Sequence, residues 1–135
     1  MSKISNFYLK VYYEDTDAGG IVYYANYLKF LERARSEFIY KLGFSNTLLK
    51  KKHDILIIVK SCNIEYKKPA VFEDKLKIST LLKKISTTSF IMYQNIKRNN
   101  ELIAFADICL VVVNSKGKPT KIPNQLKNLL IKYVS

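Results

Sequence analysis

Residues 24–42 carry the long helical pattern of this chain, and this pattern constrains the fold more than any other feature. Apolar side chains recur there at spacings of three and four, the period of one helix face: Tyr27, Leu28, Leu31, Ala34, Phe38 and Leu42. We expect the helix to begin near Tyr24 and to end at Gly43, since glycine readily adopts the left-handed position after a helix. An apolar helix face must be buried against another element.

Most of the chain after this helix has the residue types and alternation of β-strands. We predict strands at Phe7–Tyr13, Ile55–Tyr66, Lys75–Leu82, Ser89–Lys97 and Ile103–Val113. Short connections make the later strands antiparallel neighbours. A short second helix is expected over Ser45–Lys52, and Pro123 is expected to open a last helix through Tyr133. The prediction is an α+β fold in which an antiparallel sheet curls around one long helix.

Length and hydropathy favour one globular domain covering residues 1–135, because 135 residues with 48% hydrophobic side chains can form one core. The longest apolar runs, such as Ile55–Val59 and Cys109–Val113, are far shorter than the roughly 20 residues of a membrane helix. Residues Met1–Asn6 lack the apolar stretch of a secretory signal. We therefore expect a cytoplasmic protein.

The net charge of +12 predicts an anionic partner without identifying it. Nucleic acid, an anionic membrane and a phosphorylated small molecule all satisfy such a charge. The lysines are scattered along the sequence, whereas a nucleic-acid-binding module more often concentrates Arg and Lys on one element. Nucleic acid is therefore the partner that we expect least.

The two cysteines, Cys62 and Cys109, lie in apolar segments with strand character. Only His53 is available to join them as a metal ligand. We expect two buried, reduced thiols and no metal site.

The stretch with the strongest chemical signal is Val11–Arg35, VYYEDTDAGGIVYYANYLKFLERAR. Asp15 and Asp17 lie between a predicted strand and the long helix, and the glycines that follow allow a sharp turn. The unpaired N–H groups of a helix start can stabilise an oxyanion. A carboxylate at such a place can act as a nucleophile or a general base. It can equally be a turn former or a helix cap, and the residue types alone leave both interpretations open.

This stretch resembles the signature of the hotdog-fold thioesterases related to 4-hydroxybenzoyl-CoA thioesterase. It is most similar to the branch encoded with the Tol–Pal envelope proteins, the YbgC type. The specific block is Asp-Thr-Asp-Ala-Gly-Gly-Ile-Val-Tyr, and the segments Ile64–Ala70, Thr88–Phe90 and Ala104–Val113 also match the family pattern. The resemblance implies a curved antiparallel sheet wrapped around one long central helix, and hydrolysis of an acyl-CoA thioester.

The resemblance also implies roles for individual residues. Asp17 falls on the family's catalytic aspartate, which attacks the thioester or activates water, and the backbone amide near Tyr24 would polarise the thioester carbonyl. Many members of the YbgC branch carry histidine where this chain has Tyr24. The implied substrate-binding residues are Gly20, Asn26, Tyr27, Lys60 and Ser61, the last two from a neighbouring subunit. The implied contacts to the coenzyme A phosphates are Lys67, Lys68, Lys83, Lys84, Thr87 and Thr88.

The implied assembly is a homodimer or homotetramer, since open sheet edges need cover. No cofactor is expected beyond the coenzyme A carried by the substrate. Acyl carrier protein and membrane-associated lipid enzymes are further candidate partners. The alternative function is a non-catalytic hotdog protein that binds acyl groups or serves as a scaffold in a lipid or envelope complex. A basic nucleic-acid-binding domain ranks last.

Overall fold

One antiparallel sheet of five strands forms the body of the protein in the computed structural model, which describes residues 3–135. The strands are β1 (Ser5–Lys10), β2 (Leu56–Tyr66), β3 (Lys75–Ile85), β4 (Ser89–Arg98) and β5 (Glu101–Val113), in the spatial order β1-β3-β4-β5-β2. The helices are α1 (Asn26–Lys41), α2 (Asn46–His53) and α3 (Asn124–Leu130). The sheet curves around α1, which confirms the predicted α+β architecture.

Two expectations about the strands were wrong. The first strand ends at Lys10 rather than Tyr13, because Tyr13–Asp15 form a single 3₁₀ turn. Strand β2 does not pair with β3, although it precedes it along the chain; it pairs with β5. The connection between them, residues 67–74, therefore passes from the edge strand β2 across β5 and β4 to β3. We call it the crossing segment. This crossing segment contacts the loop before α1, through a hydrogen bond from Val22 N–H to the Ala70 carbonyl.

Helix α1 buries its apolar face against the concave side of the sheet. Its buried residues are Tyr27, Phe30, Leu31, Ala34, Phe38 and Ile39. The predicted stripe was therefore slightly misplaced: Leu28 is 45% exposed, and Phe30 and Ile39 are buried in its stead. Within residues 3–135 no helix is long and apolar enough to cross a membrane.

The cysteines are less buried than expected. Cys62 is exposed and Cys109 is half-buried. Cys62 lies on β2, which pairs with β5 on one side and forms an edge of the sheet. Cys109 lies on the inner strand β5 but on the face opposite its buried neighbours Ile108 and Leu110. The apolar segments around the two cysteines had suggested that both thiols are buried.

A buried polar cluster fastens α1 to the sheet. The Gln94 side chain is fully buried, and its Nε2 donates to the Leu31 carbonyl at 3.1 Å and to Thr80 Oγ1 at 3.0 Å. Its Oε1 accepts from Arg35 Nη1 at 3.1 Å. Burial lowers the pKa of the Arg35 guanidinium. A buried polar group must be hydrogen-bonded to be tolerated, and Gln94 uses both ends of its amide to link α1, β3 and β4.

We predict that Gln94→Ala destabilises the fold by about 2–4 kcal/mol, because it creates a cavity and leaves the Thr80 hydroxyl and the Arg35 guanidinium without their buried partner. The measurement is the free energy of unfolding in urea. Gln125→Ala, an exposed change of the same residue type on α3, is the matched control and should change that energy by less than about 0.5 kcal/mol. Equal effects of the two substitutions would contradict a structural role for the Gln94 cluster.

Candidate active site

The loop between β1 and α1 is closed by its own backbone hydrogen bonds. Thr16 and Val22 form an antiparallel bridge, and Asp17 N–H donates to the Ile21 carbonyl at 2.9 Å. Residues 17–21 thus form a small, defined turn at the end of the sheet. Asp17 lies at the start of this turn, and Tyr24 follows two residues after the bridge.

The Asp17 side chain is exposed, and one of its oxygens is engaged within the turn. Gly19 N–H donates to Asp17 Oδ1 at 2.8 Å, while Oδ2 has no hydrogen-bond partner within residues 3–135. A side chain at Gly19 would bring its Cβ to 3.2 Å from Asp17 Oδ1, and Gly20 has a φ of +82°. The two glycines therefore permit the close approach and the left-handed backbone that this turn requires. One carboxylate oxygen remains available for a ligand.

The backbone amide of Tyr24 is a second group near this turn that is available to a ligand. It has no acceptor among the described residues, although its neighbour Tyr23 N–H donates to the Asp15 carbonyl. Helix α1 begins at Asn26, two residues later than predicted, so Tyr24 precedes the first turn. The Asn26 side chain donates to the Asp15 carbonyl at 2.8 Å and ties the helix start to the loop. Tyr24 is 62% exposed and Gly20 is also exposed, so both are accessible to a ligand.

A tyrosine that the sequence did not single out also contacts this loop. The Tyr66 hydroxyl, at the end of β2, donates to the Tyr24 carbonyl at 3.2 Å. The rings of Tyr24 and Tyr66 meet edge to face, with centroids 6.4 Å apart. Nothing in the residue pattern could have revealed this contact, because it depends on β2 ending beside the start of α1.

The crossing segment 67–74 is hydrogen-bonded to the loop that carries Asp17 and to α1. Ala70 is fully buried; its carbonyl accepts from Val22 N–H at 2.9 Å and its own N–H donates to the Tyr27 hydroxyl at 3.0 Å. Burial raises the pKa of the Tyr27 phenol. The Tyr27 side chain is only 3% exposed, so it positions the loop through Ala70.

An ion-pair cluster fixes the crossing segment to the β4–β5 hairpin. Arg98 donates to Asp74 Oδ2 at 2.6 Å, to Glu101 Oε1 at 2.5 Å and to the Pro69 carbonyl at 3.1 Å. Lys68 also pairs with Glu101, at 2.6 Å. Hydrogen bonds from Lys68 and Arg98 lower the pKa of the Glu101 carboxyl. The chain of contacts runs from Arg98 through the crossing segment to Val22.

A shallow groove adjoins the start of α1. It has a volume of about 280 Å³ and is lined by Ile21, Val22, Tyr24, Tyr27, Tyr66, Lys67, Lys68 and Pro69. Four of the residues implied by the resemblance, Tyr24, Tyr27, Lys67 and Lys68, therefore meet in one place. Asp17 does not line this groove.

The remaining predicted residues lie elsewhere in the chain. Lys60 and Ser61 are exposed on the edge strand β2, and Lys60 lines a separate groove together with Thr88. Lys83 pairs with Asp107 at 2.9 Å, whereas Lys84 is exposed at the bulge of β3. Thr87 belongs to the β3–β4 turn, and its carbonyl accepts from Ile122 N–H. One chain does not bring this set to Asp17.

The chain is similar to known proteins over most of its length. Residues 11–130 match the model of the thioesterase-like superfamily. The chain belongs to this superfamily. An acyl-CoA thioesterase YbgC of Haemophilus influenzae is 35% identical over 123 residues, 90% of each chain. An acyl-CoA thioester hydrolase YbgC of Escherichia coli O6:H1 is 38% identical over 120 residues, 87% of this chain and 89% of the relative.

The fold is shared with solved members of the superfamily. The crystal structure of a probable thioesterase from Bartonella henselae superposes with a TM-score of 0.86 at 34% identity, covering 90% of this chain and all of the other. The hotdog fold predicted from the Val11–Arg35 stretch is confirmed.

We predict an acid-dependent loss of stability from the Glu101 cluster. Because the pKa of Glu101 is lowered in the folded state, its stabilising effect is complete above the ordinary glutamate pKa of about 4.3 and is lost as the pH falls through the lowered value. Urea midpoints of wild type and Glu101→Gln should therefore differ at neutral pH and converge in acid. Glu37→Gln, an exposed change outside the ion pairs of residues 3–135, is the control. A wild-type advantage that persists unchanged in acid would contradict the cluster's role.

Proposed function

We propose that the protein hydrolyses acyl-CoA thioesters to a free acid and coenzyme A. The observation that carries this proposal is an accessible Asp17 carboxylate close in the chain to the Tyr24 amide, which has no acceptor within residues 3–135. Membership of the thioesterase-like superfamily and the names of the YbgC relatives support the same reaction.

The reaction requires an attacking oxygen and a donor for the developing oxyanion. Asp17 either attacks the thioester carbon itself, giving an acyl-enzyme anhydride that water then hydrolyses, or takes a proton from an attacking water. In both routes the carbonyl oxygen gains negative charge and accepts a hydrogen bond from Tyr24 N–H. The C–S bond breaks, and the coenzyme A thiolate leaves and is protonated by solvent. We propose no cofactor, because these steps use only the carboxylate, the amide and water.

Tyrosine in place of histidine at position 24 does not remove the oxyanion donor. The donor in this proposal is the backbone N–H, and any non-proline residue supplies it. The phenol of Tyr24 packs on Tyr66 and borders the groove at the start of α1, so we propose that it contacts the substrate rather than transferring a proton.

The coenzyme A phosphates are proposed to contact lysines near the groove. Lys67 and Lys68 line it directly, and their ion pairs with Glu65 and Glu101 are surface pairs that a phosphate can replace at little cost. Thr87, Thr88, Lys83 and Lys84 are proposed to take part from another copy of the chain, as are Lys60 and Ser61 for the acyl group. Acyl carrier protein is a second candidate donor of the thioester.

A second copy is proposed to pair along β2. This strand of eleven residues has one unpaired edge and exposes apolar side chains: Leu56 at 37%, Ile58 at 45% and Val59 at 48%. A long, apolar, unpaired edge strand is a ready site for strand pairing. Antiparallel pairing of two β2 strands would bring Lys60 and Ser61 of one copy toward the loop of the other and give a dimer with two sites.

A non-catalytic acyl-binding or scaffold protein is the second candidate function. It is favoured by the bond from Gly19 N–H to Asp17 Oδ1, which is the geometry of an ordinary turn-forming aspartate. In that case the carboxylate would matter for the loop and not for turnover. The two functions differ in their response to one substitution.

We predict that Asp17→Asn lowers the turnover of acyl-CoA by at least about a hundredfold, because the amide can neither attack nor accept the proton of water. The Oδ1 acceptor for Gly19 N–H is retained, so the fold should survive. Release of free thiol measures turnover across a panel of short, long and aromatic acyl-CoAs, and circular dichroism checks folding.

The matched control for that substitution is Asp15→Asn, whose Oδ2 accepts from Tyr12 N–H at 2.9 Å and so supports the loop. We expect a mild effect there, and also for Tyr24→Phe, which retains the backbone amide. Near-full activity of folded Asp17→Asn would make Asp17 a turn former and favour the acyl-binding function. Severe loss in Tyr24→Phe would instead assign the chemistry to the phenol.

We predict a homodimer as the smallest folded unit in solution, and a weaker dimer in Ile58→Lys. A charge placed among the exposed apolar residues of β2 should raise the dissociation constant by at least about tenfold, which sedimentation equilibrium measures. Ile131→Lys alters an isoleucine of similar exposure, 47%, outside β2 and is the control. A folded wild-type monomer at micromolar concentration would be incompatible with this assembly.

A further inference from the structure

The outer face of β1, β3 and β4 carries lysines that face one another. In the strand register Lys10 lies opposite Lys75, and Lys77 lies opposite both Tyr8 and Lys97. The alternate residues of β3, such as Leu76 and Ile78, are buried in the core. The lysines therefore project from the opposite, solvent side of the sheet. We call Lys10, Lys75, Lys77 and Lys97 the basic face.

The basic face is uncompensated by acidic side chains. The ion pairs of residues 3–135 involve Lys67, Lys68, Lys83 and Arg98, and none involves a lysine of the basic face. An open cavity of about 570 Å³ lies on this face, and its lining contains no acidic residue: Tyr8, Leu9, Lys10, Lys75, Leu76, Lys77, Lys97 and Asn99. Like charges placed directly opposite each other on neighbouring strands destabilise a sheet. A bound anion would remove this repulsion.

We propose that the basic face docks onto the phosphate groups of an anionic lipid bilayer. The phosphate groups would be bound by the four lysine ammonium groups, and the 69% exposed ring of Tyr8 would lie at the level of the head groups. The proposal does not rest on the thioesterase reaction. It uses a part of the sheet remote from β2, since β1 and β2 are the two ends of the strand order.

The composition of the face favours an extended anionic surface over a single bound phosphate compound. Its cations are all lysines, which act as mobile point charges, and it contains no arginine fork and no helix start. Enclosed phosphate sites usually add backbone N–H groups from a nest or a helix terminus. A second copy of the chain is a poor occupant, because a two-fold contact here would oppose lysine to lysine.

The test is co-sedimentation with vesicles at low ionic strength. Wild-type protein should bind phosphatidylcholine vesicles that contain phosphatidylglycerol, should not bind pure phosphatidylcholine, and should dissociate as salt is added. The double variant Lys77→Gln, Lys97→Gln should lower the partition coefficient by about 25-fold, from about fivefold for each lysine near a charged surface. The variant should remain folded and unfold at a higher urea concentration, since one of the two opposed lysine pairs is removed.

The control for net charge is the double variant Lys50→Gln, Lys51→Gln on α2, where both lysines are exposed and outside the ion pairs of residues 3–135. It should retain most of the binding. Equal losses in the two double variants would reduce the effect to overall charge and overturn the proposal. So would absence of binding to anionic vesicles, the outcome expected if the partner is an acidic protein.

The last part of the test uses soluble phosphate compounds as competitors. Two results together would make the basic face a site for soluble phosphate compounds and would overturn the bilayer proposal. The first is that millimolar pyrophosphate or coenzyme A displaces the protein from vesicles at constant ionic strength. The second is that the same compound protects wild type, but not the Lys77→Gln, Lys97→Gln variant, against unfolding in urea. Turnover of a short thioester that lacks the nucleotide should be the same in the variant and the wild type. This comparison separates failure at the basic face from failure of the thioesterase proposal.

Discussion

The backbone of Ala70 is the contact on which the geometry of the candidate site depends. Its carbonyl holds Val22, and its N–H is held by the buried hydroxyl of Tyr27 on α1. One residue of the crossing segment therefore fixes both the turn that carries Asp17 and the first turn of the long helix. The proposed roles of the Asp17 carboxylate and the Tyr24 amide require this kind of fixed support, because the two groups would have to keep a constant separation.

The crossing segment exists because of the strand order. With β2 paired to β5 and β3 between β1 and β4, the chain must pass from one end of the sheet to its interior over residues 67–74. That passage brings Ala70 behind the loop, and Arg98 fixes the segment at Pro69 and Asp74. An ion pair between exposed side chains adds little stability, yet Arg98 and Asp74 are only 26% and 15% exposed. Arg98 also donates to the Pro69 carbonyl, and Asp74 Oδ2 accepts from Val71 N–H. The contribution of this ion pair is to hold the backbone of the crossing segment in position.

Local patterns predicted the elements of this fold but not their order in the sheet. The spacing of apolar residues located α1 within two residues at its start, and alternation located four of the strands. Pairing of β2 with β5 could not be predicted, because apolar content is similar in central and edge strands and only the packed sheet reveals which edge is free. The exposure of Cys62 was missed for that reason.

The predictability of the site has the same limit. Asp17, its glycines and Tyr24 are adjacent in sequence, so their spacing could indicate chemistry. Tyr66 contacts Tyr24 across 42 residues of the chain, and Ala70 contacts Tyr27 across 43. Arg98 reaches Pro69 across 29 residues and Gln94 reaches Leu31 across 63, and no periodicity relates such positions. They were found only from the hydrogen bonds. The hydrogen bond from the Arg35 guanidinium to the buried Gln94 amide, across 59 residues, was likewise found only from the structure.

Some lysines of the chain form ion pairs, whereas others face one another on neighbouring strands. Lys67, Lys68 and Lys83 are each within 3.2 Å of a carboxylate oxygen, so part of the excess charge is already neutralised. The four lysines of the basic face instead lie in two opposed pairs, and none of them pairs with a carboxylate within residues 3–135. Repulsion of this kind is a cost that folding alone would not maintain, because glutamine at either position of a pair would remove it. Four of the 23 basic residues are thus concentrated on one sheet face, which the net charge of +12 alone does not reveal.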